Sequence, residues 1–230
     1  QKIYREQDLW KVQTEGWTYE GDAVILANGS KASSVQGADG SGYVLAKELG
    51  HHIIKPLPAL TGLKVKGNFF SAWAGVRTDC KVTLWIDGTE TASETGEIQL
   101  TDYGVSGIPV FQISGMAARA LEEKRKVSVT LNFFPEYTEE KVQELLAKRE
   151  KEYPELSGTE RLLGLLPDKL IKVILKQKDP YRAMTAFPLE IKGTSGFEQA
   201  QVCTGGVDTG EVDPETLESW LHKGLYFAGE

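Results

Sequence analysis

Asp22-Ala-Val-Ile-Leu-Ala-Asn-Gly-Ser30 is the stretch on which the reading of this chain turns. Ala23 to Ala27 is apolar at every position, so a strand built from it is buried on both faces, the pattern of a central strand in a parallel sheet. Asn28-Gly29 ends the run with a sharp turn. In open α/β sheets ligands bind outside the carboxyl ends of the strands. The tip Ala27-Asn28-Gly29 is therefore the first candidate contact with a ligand.

Working outward, Leu9 to Gln13 alternates apolar and polar residues, Glu15-Gly16 turns, and Trp17 to Tyr19 alternates again, a β-hairpin. On the other side, Val44 to Leu49 has helical spacing, with Asp39 or Ser41 as the expected cap and Gly50 as the stop. His51 to Lys55 resumes as a strand, and Pro56 and Pro58 punctuate it. A boundary belongs there, giving a first segment of 1–58. Near the other end, Gly193 to Gly196 reads as a loop and Phe197 to Thr204 as a strand running into Gly205-Gly206. Asp213 to Glu218 is a turn or short helix, and Gly224 to Ala228 is a final apolar strand before Gly229-Glu230. Segment 193–230 thus returns to the architecture of 1–58, and the tips at Asn28 and Gly206 are expected on one sheet.

Between these flanks the periodicity changes twice. Segment 59–136 is mostly strands: Val76 to Thr78, Lys81 to Ile86, Glu97 to Leu100 and Lys126 to Phe133, with Asp87-Gly88 as a hairpin turn. One helix interrupts them, from Ile108 or Pro109 to Lys124, with proline in its first turn. Segment 137–192 switches to helical spacing, opening at Thr138 with Val142, Leu145 and Leu146 in register, and reads as two or three short helices broken at Pro167. The expected fold is α+β and multi-lobed: an α/β, Rossmann-like remnant, an antiparallel barrel-like β subdomain and a small helical subdomain.

Composition narrows the function classes. Acidic residues exceed basic ones, 33 to 26, for a net charge of −7, which argues against a surface for nucleic acid or anionic membrane. No apolar run reaches the ~20 residues of a membrane-spanning helix. Cys80 and Cys203 are too few and too far apart for a disulfide scaffold, so both are read as reduced and the protein as cytoplasmic. His51, His52 and His222 fall in no metal-ligand spacing, and no metal is expected.

Four stretches taken together resemble the HI0933-like family of FAD-dependent oxidoreductases, which includes aminoacetone-oxidase-like and NAD(P)/FAD-dependent proteins. They are Ala23 to Ser30; Gly37-Ala-Asp-Gly-Ser-Gly-Tyr43 continuing to His51 and Leu60; Leu100-Thr-Asp-Tyr-Gly-Val-Ser-Gly107; and Cys203-Thr-Gly-Gly-Val207 with Thr216 to Ser219 and Gly224 to Glu230. The resemblance implies an FAD site bordered by Ala27, Asn28, Gly29, Gly205, Gly206, Gly229 and Glu230. It also implies that Tyr103, Gly104, Ser106 and Gly107 form a loop on the substrate side, and that the insert covers the flavin and shapes the substrate pocket. The family's opening GxGxxG turn has no counterpart here, nor does its C-terminal cofactor segment. The expectation is a central fragment that completes its site with the remainder of the FAD-binding domain and binds little FAD alone. Its substrate is a small molecule, and NAD(P)H is the candidate electron donor.

From local sequence alone, Gly29 and Gly206 serve equally as turns of positive φ, and Ser106 serves equally as an ordinary helix cap. His51 is expected to close a helix, and Tyr103 is the candidate proton donor; no catalytic residue is assigned. The competing reading is a non-enzymatic binding or assembly module built on the insert.

Overall fold

The structure, a computed structural model, describes residues 1–34 and 38–229; Gly37 and Glu230, both singled out above, lie outside the described residues. The chain divides into two compact units, one of residues 1–58 with 197–230 and one of residues 59–196.

The first unit opens with strands β1 (Lys2–Glu6), β2 (Leu9–Gln13) and β3 (Thr18–Gly21), paired in order as an antiparallel sheet. The expected hairpin is its second half; β1 is the addition, turned back by Gln7 and Asp8 at φ 50° and 66°. Ile3, Trp10 and Val12 share one face, and Ile3 and Trp10 are buried with Leu26, Leu45, Ala46 and Leu225. Strand β4 (Val24–Leu26) is the apolar run with which the sequence reading began. Helix α1 (Ser41–Glu48) follows; Gly40 is its N-cap, and Asp39 accepts from Ser41 N rather than capping the helix. Gly50, at φ 92°, ends it as expected: Gly50 N donates to Lys47 O and His51 N to Ala46 O, a Schellman closure. Strand β5 (Ile53–Ala59) runs through Pro56 and Pro58 instead of stopping.

The second unit is organised by a closed antiparallel barrel. Its strands are β6 (Leu63–Val65), β7 (Arg77–Ile86), β8 (Thr89–Leu100), β9 (Gly104–Gly107), β10 (Val127–Asn132) and β11 (Phe187–Thr194). Around the barrel the order is β10-β11-β6-β9-β8-β7. Asp87 and Gly88, at φ 52° and 83°, make the β7–β8 turn, the conformation that Asp-Gly favours. Burial alternates strictly along β10 and through the first six residues of β11, so Val127, Val129 and Leu131 face inward beside Phe187, Leu189 and Ile191. Helix α2 (Ile108–Glu122) packs against β7 to β11 through Val110, Ile113 and Ala117.

Helices α3 (Glu139–Glu152), α4 (Gly158–Leu162), α5 (Asp168–Ile174) and α6 (Pro180–Thr185) fill the connection between β10 and β11. Thr138 caps α3 as expected, and Ser157 with Glu160 forms a full capping box on α4. There are four helices rather than two or three. Segment 137–192, expected to be helical, ends instead in β11, the strand that closes the barrel. The helical core, with Val142, Leu146, Leu170 and Ile174, is continuous with the barrel core.

The chain returns to the first unit through a 3₁₀ turn (Phe197–Gln199), strand β12 (Val202–Val207), a second 3₁₀ turn (Thr209–Glu211) and strand β13 (Leu225–Phe227). Strand β13 pairs in parallel with β4, Leu225 opposite Val24, but β4 is not the central strand buried on both faces that the apolar run predicts: its sheet has two strands and Ile25 is 63% exposed. Strand β12 pairs with β5. The expectation that the Asn28 and Gly206 tips share a sheet is therefore corrected: they end strands of two separate two-stranded sheets. No helix among the described residues is long and apolar enough to cross a membrane.

Candidate functional site

The two tips nevertheless border one space. A cavity of about 460 Å³ in the first unit is lined by Asn28, Gly29 and Ser30 from one tip and by Gly205, Gly206 and Val207 from the other. Ala228 and Gly229, just past β13, line it too, because Ala228 N donates to Leu26 O and carries the β13 tip alongside the β4 tip. Of the residues named from the resemblance, Asn28, Gly29, Gly205, Gly206 and Gly229 meet at this cavity. Ala27 is exposed and is not part of its wall, and Glu230 lies outside the described residues.

The glycines have local reasons. Gly205 and Gly206 hold φ values of 93° and 129° at the end of β12, where a side chain is strained. A Cβ on Gly206 would also stand 3.3 Å from Tyr43 Cε1, and one on Gly42 would stand 3.1–3.4 Å from the Asn28 side chain. The first turn of α1 is thus fitted closely to both strand tips. The lining also includes the apolar residues Leu26, Val202, Val212, Leu217 and Phe227.

No charged side chain lines the cavity among the described residues, and Tyr43 is its one titratable group. Burial pushes the Tyr43 phenol above its ordinary pKa, as does the neighbouring Cys203, while a hydrogen bond with Ser30 works the other way. Tyr43 thus stays protonated at neutral pH. Sequence reasoning considered only His51 and Tyr103; the signal for Tyr43 was its place one turn into a helix that begins at the glycine-rich stretch.

The wall segment 209–222 is anchored from behind by His51, which is buried at 3% exposure. His51 Nδ1 meets Glu211 Oε2 at 2.8 Å, and Nε2 meets Ser219 Oγ at 2.9 Å. Ser219 Oγ also accepts from Leu221 N and His222 N, both at 3.0 Å. The hydroxyl proton is thereby directed to His51 Nε2, which places the imidazole proton on Nδ1, facing Glu211. The spacing is that of a Ser-His-Glu relay, but the serine is buried and its oxygen is occupied, so the network works as an anchor. His51 does close α1, through its backbone; its ring serves this second purpose.

Tyr103, Gly104, Ser106 and Gly107 belong to the barrel unit. They do not form a loop: Gly104 to Gly107 is β9. Ser106 does not cap α2; Gly107 holds that position, and no side chain accepts there. Gly104 is required by packing, since a Cβ would stand 2.3 Å from Leu63 O. Cys80 and Cys203 are free and buried, and the described residues hold no cluster suited to a metal.

An α/β unit interrupted by a closed six-stranded barrel with helices between two of its strands, and carrying a glycine-edged, uncharged cavity, defines the class. Residues 57–185 match the HI0933-like protein barrel and H2TH domain, and the chain belongs to that family. It is 42% identical, over 95% of its length, to a 3-dehydro-bile acid delta(4,6)-reductase of Clostridium scindens. It is also 25% identical, over 98% and 99% of its length, to ribosomal RNA dihydrouridine synthases of Haemophilus influenzae and Escherichia coli. The chain spans 58%, 57% and 58% of the length of these three relatives.

Proposed function

We propose that this chain is part of an FAD-dependent oxidoreductase that reduces a small, largely apolar molecule carrying a conjugated carbonyl. The observation that carries the reading is the cavity of the first unit: uncharged, lined in part by apolar side chains and edged by three strand tips, in a chain so similar to a bile acid reductase. Its size suits the ring portion of a cofactor, since ligand pockets run to several hundred Å³ with few polar groups. The fit is to a neutral ring and not to a pyrophosphate, because no described Lys or Arg lines the cavity. Gly205 and Gly206 would let backbone approach a ring face, Asn28 and Tyr43 would offer polar contacts, and Phe227 and Val212 would exclude water. FAD, when bound, supplies hydride transfer.

The barrel unit, with Tyr103 and β9, takes the role of shaping the substrate pocket, and the remainder of the FAD-binding domain completes the cofactor's phosphate grip. NAD(P)H is the candidate reductant. An RNA substrate, suggested by the dihydrouridine synthases, fits poorly with a net charge of −7, because RNA binding depends on clustered cations.

The test is a flavin titration followed by a substrate assay. The chain alone is expected to bind FAD weakly, and the chain with its missing cofactor segments tightly. The complete protein is expected to consume NADH or NADPH on addition of a 3-oxo-4,6-diene bile acid. Tight RNA retention at physiological salt, without steroid turnover, refutes the reading. A stable dimer with no flavin binding in either form favours an assembly module instead.

A further inference from the structure

Gly62, one residue before β6, is buried between Thr61 and Leu63. Its φ lies outside the left-handed region, so its backbone conformation does not call for glycine. What excludes a side chain is a pair of hydroxyls. A Cβ there would stand 2.8 Å from Ser195 Oγ and 2.9 Å from Tyr103 Oη, with Tyr103 Cε2 at 3.3 Å. Ser195 follows β11 and Tyr103 precedes β9, so the barrel itself brings the two oxygens to one point. The backbone holds them there. Ser195 N donates to Gly62 O at 2.9 Å, and Val65 N donates to Tyr103 O at 3.0 Å. The turn that carries Tyr103 is also fixed, since Gly104 N donates to Thr101 Oγ1 at 3.0 Å and Trp73 Nε1 to Thr101 O at 3.2 Å.

Ser195 Oγ is buried and has no hydrogen-bond partner, so it is not bonded to the nearby Tyr103 hydroxyl. Such an orphaned hydroxyl destabilises the fold, and proteins keep few of them. Thr61 Oγ1 is unpartnered too, but Thr61 is wholly buried. Ser195 and Tyr103 are only half-buried, where a rotation of the tyrosine ring opens the space over Gly62. We infer that Ser195 and Tyr103 form a binding site for one neutral substrate oxygen, both hydroxyls donating to a conjugated carbonyl above Gly62. The inference deepens the functional reading above and rests on it for the class of ligand; the site itself stands on residues of the barrel unit. Two donors on one carbonyl oxygen draw electron density from the conjugated carbons, the polarisation that favours their reduction.

The test uses the full chain with 3-oxo-4-cholenoic acid carrying carbon-13 at C3, followed by isotope-edited infrared spectroscopy. The bound carbonyl stretch is expected at lower frequency in the wild type than in Tyr103→Phe or Ser195→Ala. Each variant should bind about tenfold more weakly, the effect of one neutral hydrogen bond. Gly62→Ala meets only the ends of movable side chains, so it should fold and bind at least tenfold more weakly. In the ligand-free chain, Ser195→Ala removes an orphan. Its urea midpoint should stay level or rise, the opposite of what a structural serine shows.

The saturated 3-hydroxy counterpart, lithocholic acid, separates the site from the functional reading. Binding of the alcohol that depends on Ser195 and Tyr103, with none of the enone, keeps the oxygen site and sinks the enone reading. Enone affinity and carbonyl frequency that are the same in wild type and both hydroxyl variants overturn the inference. So does a lowered urea midpoint in ligand-free Ser195→Ala, or failure of both compounds to bind at submillimolar concentration.

Discussion

Ser219→Ala removes three contacts with one atom. Ser219 Oγ accepts from Leu221 N and His222 N and bonds His51 Nε2, all between 2.9 and 3.0 Å. The His51 side chain is fully buried, and Ser219 is 5% exposed. A buried polar group left without a partner costs about 1–3 kcal/mol. With two amides and one imidazole nitrogen stranded, and water entering part of the space, the loss should be about 2–4 kcal/mol. With a urea slope of about 2 kcal/mol per molar, the transition of the first unit moves down by about 1–2 M. Tryptophan fluorescence reports it, because the indole of buried Trp10 donates to Lys223 O, the residue that directly follows the anchored segment. A second variant sharpens the argument: Ser219→Ala combined with His51→Phe should cost less than the two singly, since both partners of the buried bond are then apolar. A loss below about 0.5 kcal/mol for Ser219→Ala, or strict additivity in the pair, refutes the anchor.

Gly104→Ala should abolish the barrel, because its Cβ meets a backbone carbonyl at 2.3 Å at φ 153°; soluble protein with native circular dichroism would contradict this. Gly206→Ala should leave the first unit folded but displace Tyr43 and lower flavin affinity at least tenfold, measured by fluorescence quenching. Asp208 and Asp213 have pKa values below the ordinary carboxylate range, chiefly through hydrogen bonds from Gly210 N and from Thr216 N and Glu215 N respectively. A depressed folded pKa means that the stabilisation is present above the unfolded value and fades as pH falls through the folded one. Urea midpoints of the first unit should therefore drop from about pH 5 downward, and the drop should flatten in Asp208→Asn and Asp213→Asn.

Much of the barrel was legible because its strands alternate and its turns carry their own chemistry: Asp87-Gly88 forms its hairpin and Val127 to Leu131 alternate in the barrel wall. Strand β11 was missed although Phe187, Leu189 and Ile191 alternate just as clearly, because it lies at the end of segment 137–192, which the sequence reading takes as helical throughout. Strand β5 runs through two prolines, which is possible where pairing is sparse; its sheet has two strands. The cavity was legible only as separate tips. Local sequence specified the turns at Asn28 and Gly206 but not the sheet each belongs to, since β12 chose β5 over β4. The His51 anchor joins residues 160 and 168 positions apart, and no local pattern encodes such a pairing. Tyr43 was invisible as a wall residue because which way a helical side chain points is decided by what the helix packs against.

Strands β10 and β11 lie side by side, Leu131 opposite Phe187, yet all four helices separate them along the chain. A ribosome must therefore deliver the helices before the strand that seals the barrel. Until it does, β10 and β6 each present a bare, hydrogen-bond-hungry margin to the cell. Crowding, chaperone supply and the speed of decoding through 133–186 should govern the yield of intact protein more strongly than the stability of the finished fold.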